Sequence, residues 1–315
     1  MDPDVVPAHD QVYRQTAGLL RSFIEKYPFV PAIRDAFLVA LRADGKLLSE
    51  RPLTCWPLFV YTGSVAVGGD WQKTLPVGAA AEMIGVATDL ADDVVDGDQS
   101  AVVEAYGPAR ALNLACLTFA TAWRMLDSQP DRVRDALWQG VVAAAGGQHD
   151  DLGATPSTPE EYIEIVDRKA GALVSALVLA GALAAKPDVD RRSLEVLGTV
   201  GRLLGRCEQL KNDLWDVWFE GQYLKGDARR GKLSLPHIFA LRNALPSKKR
   251  LVQRLAAGKS LSPAQRARLH HALWQSGALH YTLVTAESAR DAAEESLQSI
   301  CPLSASAIIE WVIPS

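Results

Sequence analysis

Acidic side chains gather at two places in this chain at spacings that suit metal chemistry. The first is Glu82–Asp98, EMIGVATDLADDVVDGD. Asp89, Asp92 or Asp93, and Asp96 recur at steps of three and four, so they share one helix face. Gly97 follows as a helix-ending residue. The acids thus sit at a helix C-terminus, where the dipole disfavours negative charge. Like charges at this spacing cost about 0.2–0.5 kcal/mol per pair. A solvated helix end and a divalent metal site account for this stretch equally well. The second place is QLKNDLWDVWFE, residues 209–220. Asn212, Asp216 and Glu220 lie at i, i+4 and i+8 with Asp213 beside them. Magnesium takes a few such oxygens and completes its shell with water and phosphate. Two acidic helices facing each other would hold several magnesium ions and a diphosphate, and the second stretch tips the balance toward metal. Trp215, Trp218 and Phe219 lie between its acids, so the rest of that helix is expected to be buried.

Cations suited to a diphosphate follow. Arg230 and Lys232, with Arg229, precede a helix expected from Ser234, and cations beside a helix N-terminus favour phosphate. Arg168 and Lys169 lie on the helix before the second acidic one. His149, with Asp150 and Asp151, carries little weight, because a lone histidine is more often structural.

Helical periodicity dominates the elements that must position these groups, with no strand series. Helices are expected at about 9–27, 31–43, 74–96, 104–127, 130–151, 158–185, 190–220, 234–244, 247–257, 262–275, 278–299 and 304–312, with an apolar segment from Pro52 to Val67. Thr158-Pro159-Glu160-Glu161 reads as an N-cap with an N1 proline. No linker or repeat interrupts the series, so residues 1–315 are expected to form one all-α domain, a single bundle of long helices around a central cavity. With 48% hydrophobic and 22% charged residues the composition is that of a soluble globular protein. A net charge of −4 gives no case for nucleic-acid binding. Four scattered cysteines without a CxxC pair fit a reducing, cytoplasmic compartment. No signal peptide is apparent. The apolar run from Ala172 to Ala185 is shorter than a membrane span and reads as a buried helix.

The ordered set of motifs resembles the trans-isoprenyl diphosphate synthases. Asp92-Asp93-Val94-Val95-Asp96 resembles their first aspartate-rich motif, DDxxD. Gln209 to Asp216 resembles the second, with Asn212 in place of its first aspartate. Asp227 to Pro236 resembles DxxxGKxTLP. Gly147-Gln148 and Lys169 fall where that family has GGQ and KT, and Gly45-Lys46 with Arg51-Pro52 looks like a disrupted GGKRxRP. The resemblance implies an all-α isoprenoid-synthase fold, a homodimer, and three magnesium ions holding an allylic prenyl diphosphate. Asp92, Asp93, Asp96, Asn212, Asp213, Asp216 and Glu220 would be ligands. Arg168, Lys169, Arg230 and Lys232 would stabilise the leaving diphosphate. Lys46, Arg51, Ala87, Thr88, Gln148, Gln209 and Trp215 would contact substrate.

The departures from that pattern bear on the reaction. Gly85 and Ala91 stand where elongating enzymes of the family carry histidines. The loop Gly97–Gly107 lacks their arginine pair, and Leu47-Leu48-Ser49-Glu50 breaks the GGKR segment. Asn212, Asp216 and Glu220 also resemble the NDxxSxxxE triad of class I terpene synthases, with aspartate at the serine position. The preferred expectation is therefore a terpene synthase that ionises an allylic diphosphate and ends by cyclisation, deprotonation or water capture. Small Ala87 and Thr88 suggest a chain of roughly fifteen to twenty carbons. The alternative is a prenyltransferase that delivers the allylic group to isopentenyl diphosphate or to an acceptor such as a peptide tryptophan.

Overall fold

The computed structural model describes residues 7–50, 56–219, 231–259 and 261–314. The described residues are helical, with no strand among them. The helices are α1 His9–Lys26, α2 Pro31–Arg42, α3 Pro57–Ala66, α4 Leu75–Asp96, α5 Ala101–Tyr106, α6 Pro108–Met125, α7 Asp131–Gly153, α8 Pro159–Val166, α9 Ala172–Ala185, α10 Arg191–Phe219, α11 Leu235–Asn243, α12 Pro246–Ala256, α13 Pro263–Gln275, α14 Ala278–Gln298 and α15 Ala305–Val312. Two compact units emerge. The first comprises Met1–Gln139, Ser175–Gly201 and Glu294–Ser315, and the second Gly140–Val174 and Arg202–Ala293. The divisions fall inside α7, α9, α10 and α14 rather than in loops.

In the first unit α4 is the central element. Val77, Ala79, Ala80, Ala81, Met83, Ile84, Val86, Ala87 and Leu90 are all buried. Its small residues let α6, α1 and α3 pack closely around it. Helix α3 is buried along its whole length, and its contact with α9 depends on two glycines. A Cβ on Gly63 would lie 1.8 Å from the Val178 carbonyl oxygen, and one on Gly181 would lie 1.8 Å from that of Val60. The two backbones therefore touch where any other residue would hold them apart. The Tyr61 hydroxyl, in this core, shares a 2.6 Å hydrogen bond with Thr16.

In the second unit, Val217 of α10 joins Ala240, Leu251, Val252, Leu255, Leu269, Leu273 and Ala278 in one apolar cluster. Thr158 caps α8 as its sequence predicts, accepting a hydrogen bond from the Glu161 backbone N–H at 3.1 Å. The single helix expected over 158–185 is not regular. Asp167–Gly171 is a π-helical segment between α8 and α9. Glycine contacts from two sides accompany it. A Cβ on Gly147 would meet the Arg168 carbonyl at 2.6 Å, and one on Gly205 would meet that of Ala170 at 2.6 Å.

One further expectation needs adjustment. The helix expected over 104–127 is two, because Gly107 takes φ 78° and Pro108 restarts the helix at N1. Counting the π segment, Pro159–Ala185 is 27 residues long and apolar enough to cross a membrane by length and composition. However, 61% of its most apolar window is buried within the protein, which fits a core helix.

Candidate diphosphate and metal sites

The first acidic stretch is the C-terminal end of α4. Gly97 closes the helix in the left-handed conformation, φ 70°, and the Asp98 backbone N–H bonds back to the Asp93 carbonyl at 2.9 Å. Asp89, Asp92, Asp93 and Asp96 are half-buried. Burial pushes the Asp93 carboxyl upward. The charges of Asp89 and Asp98 add to this, and that of Lys46 opposes it. A divalent cation would relieve that crowding, so the donor set fits magnesium. Among the described residues no three His, Cys, Asp or Glu side chains close on a common point. That is compatible with an ion held by one or two carboxylates plus water and phosphate.

The segment that breaks the GGKR-like motif is built in rather than merely disrupted. Leu47 and Leu48 are buried, and the Leu47 N–H donates to Glu82 Oε1 at 2.8 Å. The second Glu82 oxygen has no hydrogen-bond partner. Burial raises the Glu82 carboxyl to about 7, although the bond from Leu47 and the charge of Lys46 oppose this. The loop so anchored delivers Lys46 to Asp89, with which it forms a hydrogen-bonded ion pair. Burial works to lower the Lys46 pKa, but Asp89, Glu82 and Asp93 outweigh it and raise it. Spacing along the chain does not single out Glu82. Its signal is a carboxylate amid eleven other buried α4 positions.

Gly85 has a structural reason. A Cβ there would lie 2.0 Å from Cδ1 and Nε1 of Trp56. The indole occupies the space in which the family histidine would begin, so the two positions are coupled. Ala87 is fully buried, and the half-buried Thr88 donates its hydroxyl to the Gly85 carbonyl at 2.8 Å. Arg51 lies outside the described residues.

In the second unit α10 presents Asn212 at the surface and Asp216 half-buried. Asp213 behaves differently from its neighbours. It is buried and accepts hydrogen bonds from the Tyr162 hydroxyl at 2.7 Å, Gln209 Nε2 at 3.0 Å and the Leu235 N–H at 3.5 Å. Burial lifts its carboxyl to about 6 despite these donors. Its two oxygens tie α8 and α11 to α10. The expectation that Trp215 lies on a buried face is corrected, because it is 64% exposed and the buried face of α10 runs through Leu210, Asp213 and Val217. Glu220 and Arg230 lie outside the described residues.

The cations of this unit converge on the end of α7. Arg168 pairs with Asp150 at 3.0 Å on an exposed face. Lys169 lies 3.7 Å and Lys232 2.5 Å from the same oxygen of Asp151, which is buried. Gln148 is half-buried and His149 exposed on the same helix. Arg206 donates to both oxygens of Asp167, at 2.8 and 2.5 Å, and fixes the first residue of the π segment. Burial therefore distinguishes Asp151 from His149, which the sequence pattern alone did not.

An all-α fold with an aspartate-rich helix end and lysines gathered beside a GGQ-type helix is the arrangement of prenyl diphosphate enzymes. Residues 31–272 match the polyprenyl synthetase family model, and the chain belongs to that family. It is 31% identical over 199 residues to the geranylgeranyl diphosphate synthase of Mycobacterium tuberculosis, covering 58% of this chain and 56% of that one. The match therefore spans little more than half of that relative's length. It is 28% identical over 236 residues to a short chain isoprenyl diphosphate synthase of Methanothermobacter thermautotrophicus, covering 69% of this chain and 72% of the relative. It is 25% identical over 212 residues to the tryptophan prenyltransferase ComQ of Bacillus subtilis subsp. natto, covering 62% and 66%. Among solved structures, the polyprenyl synthase of Caulobacter crescentus complexed with calcium and isoprenyl diphosphate superposes with TM-score 0.82 at 26% identity, covering 96% of this chain and 95% of that one.

Proposed function

We propose that the chain is a magnesium-dependent prenyltransferase that ionises an allylic prenyl diphosphate and delivers the allylic group to isopentenyl diphosphate. The observation that carries this reading is Lys46. Although its motif is interrupted, the loop is anchored on Glu82 and holds a cation on the acidic helix one turn before Asp92 and Asp93. A second anionic substrate needs such a cation. The relatives are named for prenyl diphosphate synthesis or prenyl transfer, so the weight moves from cyclisation to transfer.

In this reading Asp92, Asp93, Asp96, Asn212, Asp216 and Glu220 hold magnesium, three ions with the diphosphate, and Asp213 is a scaffold. Magnesium bound there supplies Lewis-acid neutralisation of the leaving group. Lys169 and Lys232, with Arg168 and Arg230, stabilise the charge that develops as the allylic C–O bond breaks. Lys46 and Arg51 bind the second diphosphate, while Gln148 and Gln209 orient the first. Ala87 and Thr88 leave room for a chain of roughly fifteen to twenty carbons. Trp215 offers an aromatic face to cationic carbon. The working form is a homodimer in the cytoplasm, its two units making up one isoprenoid-synthase domain.

A second reading, in which the acceptor is not isopentenyl diphosphate but an aromatic side chain, is supported by the similarity to the tryptophan prenyltransferase ComQ. Incubation with magnesium and allylic diphosphates of ten, fifteen or twenty carbons, with and without isopentenyl diphosphate, separates the possibilities by mass spectrometry. A longer diphosphate formed only with isopentenyl diphosphate is the expected result. A prenylated tryptophan peptide without chain elongation would select the second reading. A hydrocarbon or alcohol formed from the allylic substrate alone would restore the terpene-synthase expectation.

A further inference from the structure

Among the described residues of the second unit, Asp151 is the one carboxylate on which lysines from two separate segments converge. Lys169 reaches it from the π segment and Lys232 from the turn before α11. Each approach is fixed by backbone packing. Gly147 lies one turn before Asp151 on α7, and its missing Cβ admits the Arg168–Lys169 peptide against that helix. Arg206 holds Asp167, the first residue of the same segment, through two hydrogen bonds. On the other side Gly231, φ 84°, packs where a Cβ would meet the Ala256 carbonyl oxygen at 2.5 Å. Lys232 therefore leaves the chain at a determined point.

One ion pair would suffice to satisfy a buried aspartate. Two ammonium groups instead reach a single oxygen of Asp151 from separate segments, so the pair is assembled before any anion arrives. Electrostatic catalysis works best with donors placed in advance, because no reorganisation is then required as charge develops. We propose that Asp151 is a positioning residue that gathers Lys169 and Lys232 into a preformed pair for the leaving diphosphate. The inference rests on the prenyl diphosphate reading above. It adds a residue that touches neither substrate nor metal and acts through the two lysines.

The test uses the full chain with its lysines reductively methylated with ¹³C-formaldehyde, which preserves their charge. The Lys169 and Lys232 resonances are assigned with Lys169→Arg and Lys232→Arg variants. In Asp151→Asn, a near-isosteric change, both resonances are expected to move while other lysines stay in place. Inorganic pyrophosphate with magnesium is expected to move the same two in the unsubstituted protein. In turnover, Asp151→Asn should lower kcat about tenfold with KM within about threefold, the pattern of an interaction made chiefly in the transition state. Lys232→Met reads the cluster from its other side and should move the Lys169 resonance if Asp151 links them. Lysine resonances indifferent to both substitutions would overturn the proposal. Resonances that respond to Asp151→Asn but not to pyrophosphate would overturn it differently, removing the diphosphate reading and leaving only an ion-pair cluster.

Discussion

Replacing Glu82 by Gln should remove a specific pH dependence from the stability of the first unit. The Glu82 side chain is fully buried, and its carboxyl is raised from 4.5 to about 7, chiefly by burial. Below about 4.5 it is protonated in both folded and unfolded chains. Between 4.5 and about 7 only the folded chain keeps the proton, so stability falls as pH rises across that window. Above about 7 the cost of the buried anion is fully present. Each pKa unit corresponds to about 1.4 kcal/mol, so the shift amounts to about 3 kcal/mol. In Glu82→Gln the amide oxygen still accepts from the Leu47 N–H, while the new NH₂ lacks an acceptor at a cost of about 1–3 kcal/mol that does not vary with pH. The difference in unfolding free energy between variant and parent should therefore shift toward the variant by up to about 3 kcal/mol between pH 4.5 and pH 8. Asp213, whose carboxyl is raised from 3.8 to about 6, adds a parallel slope. It is common to both proteins and cancels in the comparison. Urea unfolding followed by far-UV circular dichroism at pH 4.5, 6 and 8 measures this directly. Parallel pH profiles for the two proteins would refute the assignment of a strongly perturbed carboxyl to Glu82.

Further expectations follow from single contacts. Gly85→His restores the family residue but drives its Cβ into the Trp56 ring, so it should cost about 1–3 kcal/mol in urea unfolding. Adding Trp56→Ala should recover part of that loss, and strict additivity of the two changes would show that they are not coupled. Gly181→Ala places a methyl 1.8 Å from the Val60 carbonyl oxygen, where only backbone can yield. Its cost should reach or exceed about 3 kcal/mol, and an unchanged melting temperature would contradict the close α3–α9 contact. Asp92→Ala should abolish turnover and leave the circular dichroism spectrum unchanged, whereas full activity in that variant would remove Asp92 from the metal set.

The helical class, the order of elements and the family were legible in the chain itself, because apolar periodicity and the ordered motifs are local signals. The same holds for the end of α4, where the aspartates and Gly97 lie within a few residues of one another. Interpreting departures from the motif pattern required the tertiary structure. Gly85 and the Leu47-Leu48 interruption read in sequence as erosion of a second-substrate site. Folded, one makes room for Trp56 and the other anchors Lys46 through Glu82. Spacing alone placed Asp213 with the metal ligands, since it shares a helix with Asn212 and Asp216. Its position one step round that helix turns it inward to Tyr162, Gln209 and Leu235. Asp151 gave no local sign of its role, because Lys169 and Lys232 are distant from it along the chain. Sequence determines which charges exist and how they recur along a helix. Burial and long-range approach, which depend on the packing of distant segments, decide which of them face a substrate and which hold the scaffold.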